Sequence, residues 1–132
     1  MNRIELSNKI KFICKELIEH QGYISSLDVL LKLNYLSKSD IDAWRFSKIP
    51  YLEKVCKTNL GELTFINRAI KETAKKAGLK PSWTAYIKYG KGEKSKLLFS
   101  KSGNENIEKE YATHYLDLVK IKAMKLKDQG NG

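Results

Sequence analysis

The chain has 132 residues and a formal net charge of +10 at pH 7, and 42% of its residues are hydrophobic. A chain of this length and apolar content can bury a core within one domain, so it needs no disulfide or metal crosslink to fold. The positive surplus favours an acidic partner, such as nucleic acid, a membrane surface or an acidic protein. No apolar run reaches the roughly 18 residues of a membrane-spanning helix, which argues against an integral membrane protein.

The N-terminal third predicts three helices. A broad apolar face indicates the first, from about Asn2 to His20. Ser25 or Ser26 caps the second, and Ser37, with Asp40 three residues later, caps the third. The third helix is expected to direct Ile41, Trp44 and Phe46 inward.

This order of elements resembles a helix-turn-helix unit over about Ile4 to Lys48. However, Asp40 and Asp42 lie where a recognition helix would begin, and carboxylates there would repel phosphates. A plain three-helix core is therefore favoured over a helix that reads DNA bases.

Residues 59–78 predict a basic amphipathic helix. Asn59 and Glu62 form a capping box at its start, and Gly78 is typical of the position after a helix end. One face is apolar and carries Leu60, Leu63, Ile66, Ile70, Ala74 and Ala77. Another face carries Arg68, Lys71, Lys75 and Lys76. Upstream, Pro50 predicts the start of a further helix that leads into this one.

After Pro81 the apolar period changes to two, which predicts an antiparallel hairpin. Trp83–Tyr89 is the first strand, Gly90–Ser95 the turn and Leu97–Phe99 the returning strand. Four lysines belong to this hairpin: Lys88, Lys91, Lys94 and Lys96. Residues 60–103 hold ten Lys and Arg against three acidic residues, so most of the positive surplus lies here.

The C-terminal quarter predicts one long helix. It begins near Asn104, and its apolar residues recur at helical steps: Ile107, Tyr111, His114, Tyr115, Leu118 and Ile121. The predicted fold is therefore α+β and mostly α-helical, a winged-helix-like bundle with one antiparallel β-hairpin and a long C-terminal helix. We expect a single domain over residues 1–129 and a frayed tail over residues 130–132.

No pattern predicts catalysis, a cofactor or a metal. Glu110 lies one helical turn before His114, and such a pair serves as an acid–base dyad or half of a metal site, but it is more often a structural hydrogen bond. Neither a nucleophile elbow nor a phosphate-binding glycine loop is present. Cys14 and Cys56 lie among apolar residues, as reduced thiols do, and Met1–Leu6 lacks the apolar segment of a signal peptide. We therefore expect a non-enzymatic cytoplasmic protein.

The charge pattern predicts binding to nucleic acid through phosphates and with weak sequence specificity; DNA is favoured, and RNA is left open. The predicted contacts are Arg68, Lys71, Lys75, Lys76, Lys88, Lys91, Lys94 and Lys96. Tyr86 or Tyr89 would stack on an unpaired base. The alternative is a scaffold or interaction module for an acidic protein, in which these lysines keep an exposed hairpin soluble.

Several segments resemble a family of small bacterial proteins that has no assigned activity. They are Asp42–Phe46, Ile49–Glu53, Leu79–Tyr86, Phe99–Gly103 and Tyr111–Tyr115, and the resemblance extends over about Gly22 to Leu116. It implies a bacterial, cytosolic origin and a single domain, and it assigns no site residue.

Overall fold

The computed structural model describes residues 1–130, and it combines helices with one small sheet. The elements are α1 (Arg3–Gln21), β1 (Tyr23–Ile24), α2 (Ser26–Lys32), α3 (Lys38–Arg45), a 3₁₀ helix (Leu52–Val55), α4 (Leu60–Lys76), β2 (Lys80–Trp83), α5 (Glu105–Ala112), β3 (Thr113–Leu116) and α6 (Leu118–Gly130). The predicted class, α+β and mostly helical, is confirmed. Residues 131 and 132 of the predicted tail lie outside the described residues.

The predicted helix caps are confirmed. The side chains of Ser25, Ser37 and Asn59 each accept a hydrogen bond from the backbone N–H three residues later, at 3.2, 3.0 and 2.8 Å. Each bond satisfies a donor that the first helical turn leaves open. Gly78 follows the end of α4 with a φ of +69°, the left-handed conformation expected there.

The core includes the interface of α1 and α4, the pair of helices in most extensive contact, and it extends to α2, α3 and α5. Four residues of the predicted stripe on α4 are buried: Leu63, Ile66, Ile70 and Ala74. The N-terminal residue of that stripe, Leu60, is 63% exposed instead. Cys14 and Cys56 are free thiols, and burial raises the pKa of each to about 12.

The sheet differs from the predicted hairpin. Its strand order is β1-β3-β2, and both pairings are antiparallel. β2 covers only Lys80–Trp83 and pairs with β3, so that Trp83 lies opposite Thr113. Residues 84–89 leave the sheet, and a single bridge, Ile87 with Lys96, remains of the predicted pairing with the returning strand. The predicted hairpin is therefore present only as a short antiparallel pairing, and of its predicted first strand only Trp83 belongs to the sheet, where it pairs with β3.

The predicted long C-terminal helix is also wrong, because β3 divides it. α5 ends at Ala112, the next four residues form the central strand of the sheet, and α6 begins after Asp117. The Asp117 carboxylate accepts a hydrogen bond from Lys120 N at 3.0 Å, which caps the new helix. The helix predicted after Pro50 is shorter than expected, a single 3₁₀ turn over Leu52–Val55.

Residues Leu97–Ser100, here called the clamped segment, cross the core without joining the sheet. The backbone N–H groups of Leu52 and Glu53 donate to Leu98 O and Phe99 O at 3.2 and 2.9 Å. The indole N–H of Trp44 also donates to Leu98 O, at 2.7 Å. Through these bonds the segment joins α3 and the 3₁₀ helix to the remainder of the core.

A buried carboxylate holds the other side of the clamped segment. Glu108 of α5 is 8% exposed and accepts hydrogen bonds from Phe99 N at 2.8 Å, Ser100 N at 2.7 Å and Ser100 Oγ at 2.5 Å. Hydrogen bonds to an ionised acceptor are stronger than those between neutral groups, and three of them offset the cost of burying the charge.

Replacing this carboxylate with an amide should destabilise the fold. In Glu108→Gln the new NH₂ group faces donors, so at least one bond is lost, and we expect a loss of about 1–3 kcal/mol in the free energy of unfolding. Urea denaturation measures it. Glu105→Gln, an exposed position in the same helix, is the matched control; equal stability of the two variants would contradict a structural role for Glu108.

Candidate nucleic-acid interface

The predicted hairpin forms a narrow loop, residues 86–96, here called the basic loop. Lys88 N donates to Ser95 O at 2.9 Å, and Leu97 N donates to Tyr86 O at 2.8 Å, which closes its base. Gly90 and Gly92 have φ values of +96° and +104°, a conformation that glycine adopts without strain. Tyr89 N donates to Arg45 O at 2.7 Å, so the loop is anchored to the end of α3.

The lysines of the basic loop are directed mainly to solvent. Lys91, Lys94 and Lys96 are exposed and Lys88 is half-buried. Lys94 Nζ donates to Gly90 O at 3.1 Å, and Lys96 Nζ lies 4.9 Å from the ring centre of Trp83. Glu93 is the single carboxylate within residues 86–96. The basic loop therefore carries a net charge of +3.

Arg45 adds a cation at the base of the loop that the sequence analysis did not assign to the site. Its guanidinium carbon lies 3.9 Å from the ring centre of Tyr89 and 5.3 Å from that of Tyr86. Its Nε is buried and has no hydrogen-bond partner among the described residues. A guanidinium is attracted to the face of an aromatic ring, and it adds positive charge to the surface at the base of the loop.

Phe46 lies beside Arg45 and Tyr89. The prediction that it faces inward is wrong. Its ring makes an edge contact with Tyr89, with ring centres 5.8 Å apart. Phe46 and Tyr89 are 49% and 46% exposed, so two aromatic rings remain accessible next to Arg45. Tyr89 therefore keeps the predicted capacity to stack on a base.

Tyr86 cannot stack on a base as predicted, because its ring is enclosed. Its ring centre lies 5.7 Å from that of Trp44 and 5.1 Å from that of Phe99. Its hydroxyl is hydrogen-bonded to His114 Nε2 at 2.7 Å. Burial raises the pKa of the phenol, so the hydroxyl of Tyr86 keeps its proton. This tyrosine joins the basic loop to β3.

The pairing of His114 with Glu110 is likewise wrong. His114 lies in β3, where its ring stacks on Tyr23 with ring centres 5.2 Å apart. Burial lowers the pKa of His114 below its ordinary value, and the carboxylate of Asp28 partly opposes that shift. Within the described part of the chain, no three His, Cys, Asp or Glu side chains cluster as metal ligands would.

The predicted cations of α4 lie on a different element from the lysines of the basic loop. Arg68, Lys71, Lys75 and Lys76 are all exposed. The hydrogen bonds and ring contacts of the basic loop go to α3, β2, β3 and the clamped segment, and α4 is not among these partners. The contacts thus join the basic loop to Arg45 through Tyr86 and Tyr89, and they do not join it to the α4 cations.

The imidazole of His114 should make stability depend on pH. The unfolded chain takes up this proton near the ordinary pKa of about 6.5, whereas the folded chain takes it up only at lower pH, so acidification favours unfolding. We expect the free energy of unfolding to fall between pH 7.5 and pH 5.5, and His114→Gln to reduce that fall. Urea denaturation at both pH values measures it. A fall that is unchanged in His114→Gln but reduced in His20→Gln, at an exposed site, would contradict this assignment.

No family model matches the chain, and neither a curated protein nor a solved structure is similar to it by sequence or fold. Among residues 1–130, no helix is both long and apolar enough to cross a membrane. The contacts and charges of the basic loop and of α3 are therefore the basis for a functional proposal.

Proposed function

We propose that this protein binds single-stranded nucleic acid through the basic loop and the adjoining end of α3. The observation that carries the proposal is the stacking of the Arg45 guanidinium on Tyr89 at 3.9 Å, at the base of a loop with four lysines. It supports binding because one surface offers cations for phosphates and an accessible ring for a base.

The electrostatic part of binding comes from six cations. Lys88, Lys91, Lys94 and Lys96 lie on the basic loop, and Arg45 and Lys48 lie at or just after the end of α3. Glu93 and Asp42 are the neighbouring carboxylates, so the surplus remains positive. Each phosphate that a cation neutralises releases a bound counterion, which favours binding at low salt.

The aromatic part of binding comes from Tyr89 and Phe46. Stacking of a base on an aromatic ring contributes about 1–3 kcal/mol and tolerates any base. A duplex keeps its bases stacked on each other, so this contribution favours unpaired strands. Five of the six cations are lysines, which lack the planar fork that reads guanine, and weak sequence preference follows.

Salt dependence tests the phosphate contacts. With five contacts to a single strand, the plot of log K against log salt concentration should have a slope of about −3.5. Fluorescence anisotropy of labelled dT15 in increasing KCl measures it. Replacing both Lys91 and Lys94 by Gln should make the slope shallower by about 1.4, because two contacts are lost.

The matched control replaces Lys9 and Lys15 of α1 by Gln, which changes the net charge equally at exposed positions. Its slope should equal that of the wild type. If the two double variants behave alike, the basic loop has no special role. If dT15 does not bind even at low salt, the nucleic-acid proposal fails and the acidic-protein alternative is left.

Substitution of Tyr89 tests the preference for single strands. Tyr89→Leu removes the stacking ring but keeps an apolar side chain under Arg45, so the affinity for dT15 should fall by about tenfold, the equivalent of about 1.4 kcal/mol. Affinity for a duplex of equal length should change far less. Equal losses for both probes would contradict base stacking and indicate that Tyr89 only positions Arg45.

A further inference from the structure

A groove of about 760 Å³ lies between α4 and α5, away from the basic loop. Its floor is formed by Leu63 and Tyr111, which are 3% and 2% exposed. Its rims carry Leu60 of α4 and Ile107 of α5, which are 63% and 39% exposed. The groove is thus a concave apolar site that is open to solvent, and its volume is in the range of small-molecule sites.

Hydrogen bonds fix one end of the groove. Glu53, on the 3₁₀ helix, accepts from the Tyr111 hydroxyl at 2.8 Å and from Lys101 N at 3.0 Å. The ring of Tyr111 also stacks on Phe99 of the clamped segment, with ring centres 5.2 Å apart. Both carboxylate oxygens of Glu53 accept these hydrogen bonds, so this end of the groove is already ordered without a ligand.

One polar group in the groove lacks a partner within the protein. Asn67 lines the groove from the middle of α4 and is only 8% exposed. Its Oδ1 accepts a hydrogen bond from Ser26 Oγ at 2.8 Å, which fixes the orientation of the amide. No hydrogen bond joins its Nδ2 to another described residue. The Nδ2 atom itself is not fully buried, so water in the groove is its acceptor in the free protein, and a ligand oxygen would take the place of that water.

We infer that this groove binds a small organic molecule with an apolar body and a hydrogen-bond acceptor, such as a carbonyl, carboxylate or sulfonate oxygen. The body lies between Leu60 and Ile107 above Tyr111, and the acceptor meets Asn67 Nδ2. The site is separate from the basic loop, so the inference does not depend on nucleic-acid binding.

The test uses 1-anilinonaphthalene-8-sulfonate, which combines an aromatic body with sulfonate oxygens. Its fluorescence should rise when it is titrated with the folded wild-type protein, and the side-chain amide resonances of Asn67 should shift in nitrogen–proton spectra. Thr64→Phe places a ring in the groove from an exposed position on α4 and should weaken binding at least tenfold. Arg68→Phe, one turn further along the same helix and outside the groove, is the matched control and should bind as the wild type does.

A second variant tests the polar contact. Asn67→Leu keeps the size of the side chain and removes the donor, so affinity should fall about five- to tenfold while circular dichroism confirms folding. The inference is overturned if the wild type does not bind the probe, or if Thr64→Phe and Arg68→Phe bind it equally. It is also overturned if sedimentation shows a dimer that Thr64→Phe dissociates, because a second copy of the chain then occupies the groove.

Discussion

The buried carboxylate of Glu108 is the constraint on which both candidate sites depend. Its three hydrogen bonds hold Phe99 and Ser100 against α5, while Trp44, Leu52 and Glu53 hold the same segment from the opposite side. The basic loop ends where this segment begins, and the groove between α4 and α5 is bounded where it ends. The lysines of the basic loop repel one another, and the loop stays narrow because the clamped segment that follows it is held in place. The same fixed segment keeps the wall of the groove open.

Local features were predictable from the sequence because they depend on residues close together along the chain. Asn59 and Ser37 cap helices through atoms three residues away, and the stripe of α4 follows from the geometry of one helix. The strand partners were not predictable in this way. The alternation in Trp83–Tyr89 indicated an extended segment, but the strand that forms is Lys80–Trp83, and its pairing with Thr113–Leu116 depends on residues about thirty positions downstream.

The division of the C-terminal helix shows the limit of periodicity. Tyr111, His114 and Tyr115 have helical spacing, yet the last two belong to β3. The side chains on both faces of β3 are half-buried, so they would contact other parts of the protein whether this segment were a helix or a strand. Hydrogen bonds to two neighbouring strands decide the outcome, and the pattern of apolar residues contains no information about them.

The candidate interface was predictable in its charge but not in its geometry. The lysines of the basic loop are evident from composition, whereas Arg45 and Phe46 join them through contacts with Tyr89 that bridge distant parts of the chain. Tyr86 and Tyr89 lie in the same alternating segment of the sequence. Only the positions of Trp44 and Phe99 in the fold determine that the ring of Tyr86 is enclosed and that of Tyr89 is exposed. Tertiary packing determines which tyrosine ring is exposed, and local sequence patterns do not predict it.

The strand order has a consequence for how the protein is made. The central strand of the sheet is the last of the three to leave the ribosome, so β1 and β2 have no partner while roughly the first hundred residues are being synthesised. Until then their unpaired edges are accessible to other chains, the circumstance in which nascent proteins aggregate or engage chaperones. The sheet therefore cannot form until Thr113–Leu116 has been synthesised, and a ribosome that pauses before Thr113 would prolong that exposure.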